Sequence, residues 1–489
     1  MDEFPFSVVL LPVGFSFFLI ILLWVFPGSF LRNKQKFAWV LSLFLLFFFS
    51  YGHFYNLLEE RGILGVGILG DNKVILSLYG VLFAVLTLVS VKSIRNWVEA
   101  TKAATLFACL LVVVSVFNIV FYYVRGASGA QSNRKQETAA QGPSDPQTGR
   151  LPDIYYMILD GYPRADVLSG LHGYDNSEFI HFLRQHGFFV GEQSRSNYPG
   201  TALSLASSLN FNYLNDLLPQ VPRDSTNLWP LTNLIRNNMV CNFLKNRGYS
   251  IVAVDSGYFP TQLRNADQFL ATGWFLNEFH DALLDTTPAW ALAKNLGRYS
   301  MQRKRILQIL EQIGNIPAGE APEFVFAHLM ALHPPFVFGP NGEEIEPRKS
   351  SLGFWREFSD TSKETQRKQY IDQLTFINKK VEEAVEKILA RRSRPSVIIL
   401  QGDHGSSFLS LAKDGNGKFY QERFSILNAI RAPEGRLPGR YDTMSPVNTF
   451  RIVLNDIFAA GYELLKDESF YSQRDSPYRL IRITTEIAR

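Results

Sequence analysis

The fold of this chain is decided by residues 396–405, SVIILQGDHG. The run from Val397 to Leu400 is apolar throughout, which is typical of a strand that is covered on both faces. It leads to Asp403 and His404, and the glycines on either side of them allow the backbone to turn sharply. The stretch therefore predicts a buried strand with a carboxylate and an imidazole at its carboxyl end.

Similar apolar runs recur along the second part of the chain and are separated by longer helix-like stretches. The runs lie at 154–159, 249–254 and 324–329, and the helix-like stretches lie near 175–187 and 362–392. This alternation predicts an α/β domain with a mostly parallel sheet and helices on both faces.

Polar residues follow three of the four runs. Asp160 directly follows the run at 154–159, His333 follows the run at 324–329, and Asp403 and His404 follow the run at 397–400. Ligands bind beyond the carboxyl ends of such strands, and aspartate and neutral histidine are ligands of divalent cations, so the pattern predicts a metal site. Each also has an ordinary interpretation, since Asp160 could lie in a simple turn and Asp403 could cap the next helix. His328, inside the third run, is either a packed core histidine or a ligand of a second metal.

A fourth element is NYPGTALSLASSL, residues 197–209. Pro199-Gly200 predicts a turn, and the spacing that follows predicts a helix that begins at Thr201. A hydroxyl at a helix N-terminus can be ionised by a nearby metal and by the helix dipole, which would make Thr201 a nucleophile for phosphorus. The alternative is that Thr201 is only an N-cap. Ser204 is the rival nucleophile, but it lies one turn inside the helix, where its hydroxyl is expected to bond the backbone.

Four apolar stretches in the first part of the chain are long enough to cross a membrane, which takes about 20 helical residues. They run near 6–26, 37–57, 74–91 and 103–124. The first has an acidic start and is followed by three more, so we interpret it as an anchor and not as a signal peptide. Basic residues in the first and third loops place those loops in the cytoplasm, and four crossings then place the chain beyond residue 124 outside it. We expect a multi-pass membrane protein whose second part lies outside the cytoplasm.

The composition changes after these spans. Residues 126–150 are polar and rich in Gly, Ser, Gln and Pro, as in a flexible linker. We expect a four-helix transmembrane region at 1–125, a linker at 126–152 and an extracytoplasmic catalytic domain at 153–489. The net charge is only +4 and no basic run is interleaved with aromatic residues, which argues against a nucleic-acid partner. Two cysteines are too few for a disulfide framework or a thiolate metal cluster.

The order of four short motifs resembles that of the sulfatase-like branch of the alkaline phosphatase superfamily, which includes lipoteichoic acid synthases and phosphoethanolamine transferases. The motifs are Leu159-Asp160-Gly161, Pro199-Gly200-Thr201, His333-Pro334-Pro335-Phe336 and Gly402-Asp403-His404-Gly405. The resemblance implies an alkaline phosphatase-like domain and one divalent metal held by Asp160, Thr201, Asp403 and His404, with Thr201 as the nucleophile. It also implies that His333 contacts the substrate phosphate or the leaving group. Manganese is the metal that the resemblance favours, and the ligand types also fit zinc or magnesium.

The resemblance implies a metal-dependent phospho-group transferase or phosphoesterase that acts outside the cytoplasm on a lipid headgroup or a cell-envelope glycan. Sulfatases of this superfamily carry a Cys/Ser-x-Pro-x-Arg element that is absent from this sequence, so phosphoryl chemistry is favoured over hydrolysis of a sulfate ester. No histidine follows His404, so a complete second metal site is not expected. The alternatives are a catalytically inactive envelope scaffold and a transporter. Retention of the four metal-site residues argues against the scaffold, and the near absence of ionisable residues from the spans argues against the transporter.

The orientation of the spans can be tested with a reporter enzyme that is active only outside the cytoplasm. Fused after residue 130, the reporter should give signal, because four crossings carry that point to the outer side. Fused within residues 92–102, it should give none. The reverse pattern would place the α/β domain in the cytoplasm.

Overall fold

The computed structural model describes the chain in several segments. They are residues 33–60, 72–129, 150–272, 283–284, 286–289, 298–317, 319–345, 362–391, 394–409, 416–435 and 437–484, with isolated residues of the first apolar stretch at 14, 17, 18 and 21. These residues form two compact units, one helical and one of mixed α/β structure.

The helical unit is built from three long apolar helices within the described residues. They are α1 (Lys34–Glu60), α2 (Asn72–Ser93) and α3 (Trp97–Gly129). Each contains a segment that is long and apolar enough to cross a membrane, at Lys34–Tyr55, Val74–Ser93 and Trp97–Val114. Aromatic contacts join the helices, with ring centroids 4.8 Å apart for Phe47 and Tyr79 and 6.5 Å apart for Trp39 and Trp97.

These helices match three of the four stretches expected from the sequence. The first stretch, near 6–26, lies almost wholly outside the described residues. Helix α3 continues to Gly129, so the first four residues of the expected linker at 126–152 are helical, and 130–149 lie outside the described residues. The short described segments at 283–284 and 286–289 group with the helical unit.

The α/β unit is organised around a seven-stranded sheet within the described residues, in the order β2-β7-β6-β1-β5-β3-β4. Its strands are β1 (Asp153–Leu159), β2 (Phe189–Val190), β3 (Ser250–Val254), β4 (Gln268–Leu270), β5 (Glu323–Leu329), β6 (Ser396–Gln401) and β7 (Asn428–Arg431). The five strands from β6 to β4 in this order are parallel, and β7 runs antiparallel to both of its neighbours. A separate hairpin joins β8 (Phe470–Gln473) to β9 (Ser476–Arg482).

Helices cover both faces of the sheet. The described helices of this unit are α4 (Ala165–His172), α5 (Ser177–Gln185), α6 (Thr201–Ser208), α7 (Leu214–Leu217), α8 (Trp229–Arg236), α9 (Met239–Lys245), α10 (Arg298–Asn315), α11 (Lys363–Ala390), α12 (Asn416–Phe424) and α13 (Pro446–Phe458). Successive residues of β1 point to opposite faces. Accordingly, Tyr155 and Met157 pack into the cluster that contains α10 and α11, whereas Ile154 and Ile158 pack into the cluster that contains α6 and α13. The expected architecture, apolar helices followed by a mostly parallel α/β domain, is confirmed.

The four strands expected from uniformly apolar runs are all present, but β2, β4 and β7 of the same sheet were not predicted. Strands β2 and β4 have only two and three residues, so no period can be recognised in them. Strand β7 reads NAIR, with polar residues at both ends, although Asn428 is completely buried. Its pairing with β6 is set by tertiary contacts and not by an apolar pattern.

Buried polar contacts of Gln401 join β1, β6, β7 and α13. Its side-chain oxygen accepts a hydrogen bond from Tyr156 Oη at 2.8 Å, and its nitrogen donates to Asn428 Oδ1 at 3.0 Å and to Thr449 Oγ1 at 2.9 Å. The substitution Gln401→Leu should lower the free energy of unfolding by about 2–3 kcal/mol, because it leaves buried polar groups without partners. Urea unfolding of the detergent-solubilised protein measures the change. The exposed Gln193 is the control, since Gln193→Leu should change the same quantity by less than about 0.5 kcal/mol; equal effects would contradict the prediction.

Candidate metal centre

The pairing of β1 with β6 sets the positions of two carboxylates. In that parallel ladder Ile158 of β1 lies opposite Gln401 of β6. Asp160 comes two residues after Ile158, and Asp403 comes two residues after Gln401. Asp160 and Asp403 therefore emerge at the same height on neighbouring strands, and both are almost completely buried. Gly161, with φ of +66°, turns the chain away from β1, and its N–H donates to Asp403 Oδ1 at 3.0 Å.

Thr201 is the first residue of α6, but it does not cap the helix. The N-cap position is Gly200, which makes no side-chain capping bond. The Thr201 hydroxyl lies 3.4 Å from Asp160 Oδ2 and 3.4 Å from His404 Nε2. Ser204 is buried, and its hydroxyl donates to the Tyr198 carbonyl at 3.0 Å, as expected for a side chain one turn inside the helix. Of the two hydroxyls, only that of Thr201 reaches the carboxylate and imidazole.

The spacing of these atoms suits a small cation. Ligand atoms of Asp160, Asp403 and His404 all lie within 4.8 Å of one another, and His404 Nε2 is 3.4 Å from Asp403 Oδ2. The 3.4 Å between His404 Nε2 and Asp403 Oδ2 exceeds the usual distance of about 2.9–3.0 Å for an N–H···O hydrogen bond. Tetrahedral ligands with metal bonds of about 2.1 Å would be about 3.4 Å apart. The donors are thus spaced as ligands of one ion.

The chemistry of Asp403 and His404 also fits a metal. Oδ1 of Asp403 accepts hydrogen bonds from the backbone N–H groups of Gly161 and His404, at 3.0 and 2.9 Å. Its Oδ2 is buried and has no hydrogen-bond partner among the described residues, which is costly for a carboxylate unless a cation compensates it. His404 Nδ1 lies 2.9 Å from the Gly405 carbonyl, so this nitrogen carries the proton and Nε2 keeps its lone pair for a ligand.

Electrostatics keep the site in the protonation state that a metal requires. Burial lowers the pKa of His404, and the nearby Arg423 lowers it further, against the opposing effect of Asp403 and Asp160. The imidazole is therefore neutral near pH 7. Burial alone would raise the pKa of Asp160, but the hydrogen bond from His328 opposes this effect, and the pKa lies well below its usual range. Asp160 is therefore an anion.

His328 is a completely buried histidine whose hydrogen bonds extend to the site. Its Nε2 lies 3.3 Å from Asp160 Oδ2, and its Nδ1 lies 2.9 Å from Thr261 Oγ1. Both ring nitrogens thus have protein partners, as in the packed, hydrogen-bonded interpretation of this residue. We infer that His328 orients the Asp160 carboxylate through this hydrogen bond.

His333 lies in the turn that follows β5 and is partly exposed. Its Nδ1 is 2.8 Å from the Pro334 carbonyl, and burial lowers its pKa, with Asp160 opposing that shift. The turn is fixed by Gln373 of α11, whose side-chain oxygen accepts hydrogen bonds from Val337 N at 2.6 Å and Phe338 N at 3.0 Å. His333 is therefore held beside the ligand set, as a neutral imidazole near pH 7.

One charged residue of the site was missed by the sequence analysis. The guanidinium of Arg423, near the end of α12, donates to the Pro199 carbonyl at 2.6 Å and to the Gly405 carbonyl at 3.2 Å. It thus contacts the turn before Thr201 and the loop after His404. No motif surrounds Arg423, and its helix follows residues that have no apolar period, so the sequence carried no signal for it.

Comparison with known proteins gives likenesses of structure only. No protein-family model and no curated protein sequence matches this chain. It is similar to an integral membrane lipooligosaccharide phosphoethanolamine transferase from Neisseria meningitidis, with 13% identity, a TM-score of 0.41, and coverage of 92% of this chain and 85% of that one. It is also similar to the C-terminal periplasmic domain of a phosphoethanolamine transferase from Escherichia coli in complex with zinc, with 12% identity, a TM-score of 0.46, and coverage of 69% and 94%.

A third similar structure is a phosphoglycerol transferase from Streptococcus pyogenes in complex with sn-glycerol-1-phosphate. It has 11% identity and a TM-score of 0.40, and the match covers 64% of this chain and 76% of that one. Phosphoethanolamine transferases, which the four sequence motifs resemble, are thus among the proteins with a similar structure.

The role inferred for His328 can be measured through metal affinity. The substitution His328→Phe should weaken binding of a divalent cation by about 10–100-fold, because Asp160 loses the group that orients it. His328→Gln, which keeps a hydrogen-bond donor, should lose less. Titration of manganese or zinc into the metal-free, detergent-solubilised protein gives the affinities. The control is the same substitution at the exposed His181, and His181→Phe should leave the affinity unchanged. Unchanged metal affinity in His328→Phe would show that His328 only fills the core.

Proposed function

We propose that this chain is a membrane-anchored enzyme that transfers or hydrolyses a phosphoryl-type group, with Thr201 as its nucleophile. The observation that carries the proposal is the position of the Thr201 hydroxyl, 3.4 Å from both Asp160 Oδ2 and His404 Nε2. If Thr201 only stabilised its helix, its hydroxyl would be expected to bond the helix backbone and not to lie beside a buried carboxylate and a neutral imidazole. The same arrangement argues against an inactive scaffold.

The proposed cofactor is one divalent metal, which Asp160, Asp403, His404 and Thr201 would hold. When bound, such an ion lowers the pKa of a hydroxyl and offsets negative charge on phosphoryl oxygens. Manganese is our first choice, and zinc and magnesium fit the same donors. A single site is proposed, because both ring nitrogens of His328 bond to protein groups.

In the first proposed step, Thr201 Oγ1 attacks phosphorus and the bond from phosphorus to the leaving oxygen breaks. Thr201 lies at the N-terminus of α6, where the helix dipole favours negative charge on its oxygen. The proton that Thr201 loses passes to the neutral His333 on the neighbouring turn, and the imidazolium that results stabilises or protonates the leaving oxygen. In the second step an acceptor alcohol or water attacks the phosphothreonine, the bond from Thr201 Oγ1 to phosphorus breaks, and the side chain returns to its starting state.

The proposed substrates are membrane lipid headgroups or cell-envelope glycans. We propose that the described apolar helices and the stretch near 6–26 insert as a multi-pass anchor in the bacterial inner membrane, with the α/β domain outside the cytoplasm. Soluble nucleotide donors are scarce in that compartment. A donor embedded in the same membrane is therefore favoured, and a headgroup joined through a phosphodiester suits the proposed chemistry.

The substitution Thr201→Ala should abolish turnover and leave metal content near that of the wild type, because Asp160, Asp403 and His404 remain. Mass spectrometry of the Thr201 peptide, after incubation of the wild type with a lipid extract, should detect a covalent phosphoryl adduct. The mass of that adduct would also identify the transferred group.

Ser204→Ala is the matched control, since it removes a hydroxyl from the same helix that bonds only to the backbone. It should lower activity mildly and leave the adduct on Thr201. Full activity in Thr201→Ala, or equal losses in both variants, would remove Thr201 from the role of nucleophile.

A further inference from the structure

The last turn of α12 holds the loop that follows the metal ligands. Glu422 is buried, and its carboxylate accepts hydrogen bonds from Ser406 Oγ at 2.9 Å, Phe408 N at 3.0 Å and Leu409 N at 2.8 Å. The neighbouring Arg423 accepts the Gly405 N–H through its backbone carbonyl at 2.8 Å. A Cβ at position 405 would lie 2.0 Å from the Glu422 carbonyl oxygen, so only glycine allows this close approach. The helix end is therefore fixed against the metal-binding loop.

Two of the three guanidinium nitrogens of Arg423 are used in that attachment. Nε donates to the Pro199 carbonyl at 2.6 Å, and Nη1 donates to the Gly405 carbonyl at 3.2 Å and to Ser407 Oγ. The Gly405 carbonyl is also the partner of His404 Nδ1. Among the described residues, Nη2 makes no hydrogen bond. The positive charge is thus held rigidly between the nucleophile's turn and the metal-binding loop, with one nitrogen available.

The charge balance of the site calls for another cation. Asp160 and Asp403 bring two negative charges, His404 is neutral, and one divalent ion would cancel only the carboxylates. A phosphodiester adds a negative charge of its own, and the attacking oxygen adds more in the transition state. The sequence provides no histidine after His404 to complete a second metal site. Arg423 is close enough for its charge to lower the pKa of both His404 and His333.

We propose that Arg423 is a catalytic residue that binds a nonbridging oxygen of the transferred phosphoryl group through Nη2, in place of a second metal ion. This inference rests on the proposed function. Its physical basis is that a guanidinium fixed by carbonyl groups can stabilise developing charge without having to reorganise. The attached Nε and Nη1 would position the group, and Nη2 would contact the substrate.

The test uses the full-length, detergent-solubilised protein loaded with manganese, with bis(4-nitrophenyl) phosphate as substrate and inorganic phosphate as inhibitor. Arg423→Gln should lower kcat/KM by about 10²–10³-fold, as for other fixed donors to a reacting oxygen. It should weaken inhibition by phosphate at least about tenfold. Guanidinium chloride should restore part of the activity of Arg423→Ala, whereas sodium chloride at the same ionic strength should not.

Arg431→Gln is the matched control. Arg431 also donates to two backbone carbonyls, those of His186 and Ser396, but its contacts lie away from the metal ligands. Activity and phosphate inhibition should be unchanged in this variant.

Two results would overturn the inference. One is unchanged phosphate inhibition in Arg423→Gln. The other is a loss of manganese affinity of about 10–100-fold in Arg423→Gln that accounts for its loss of activity, together with no rescue of Arg423→Ala by guanidinium. A residue that only positions the metal-binding loop would give this result. If the wild type does not cleave the diester, the proposed function fails separately. Calorimetric titration of phosphate into wild type and Arg423→Gln then still decides whether Arg423 binds it.

Discussion

The candidate site depends on the register between two parallel strands. Because β1 and β6 pair with Ile158 opposite Gln401, the aspartates that follow them leave the sheet side by side. A shift of one residue would turn one carboxylate to the other face of the sheet and remove it from the site. The register is held by apolar packing on both faces and by Gln401, which bonds to β1 through Tyr156 and to β7 through Asn428. Buried contacts in the core therefore determine where the two aspartates lie at the edge of the sheet.

Much of this arrangement could be predicted because it is local in sequence. A uniformly apolar run followed by Asp-Gly or Gly-Asp-His carries both the strand and the ligand in a single stretch. The same reasoning predicted a helix that begins at Thr201, because Pro-Gly predicts the turn before it, and the structure has this helix. These predictions require only that parallel strands end at the same edge of the sheet.

The parts that could not be predicted are those that arise only from tertiary contacts. Strand β7 lacks an apolar pattern, and it becomes a strand because β6 offers it a free edge. His328 looked like a core histidine or a second ligand, and only the structure shows that its ring joins Thr261 to Asp160. The sequence gave no indication that Arg423 belongs to the site, because an arginine near the end of a polar helix is ordinarily solvated. Its role depends on carbonyl groups contributed by two distant loops.

The burial of these groups shows why the site needs such support. A buried carboxylate is costly unless hydrogen bonds and opposite charge compensate it, and the two oxygens of Asp403 differ in this respect. Oδ1 is satisfied by backbone N–H groups, whereas Oδ2 has no hydrogen-bond partner among the described residues. The fold thus fixes the carboxylate through one oxygen and leaves the other without a hydrogen-bond partner in the described part of the chain, as a ligand of the proposed cation would be. His404 follows the same pattern, since Nδ1 is anchored to a carbonyl and Nε2 faces Thr201. In both residues the protein holds one polar atom in place and leaves the other open to the proposed metal. This division explains how the site can be rigid while some of its described atoms lack a full set of protein partners.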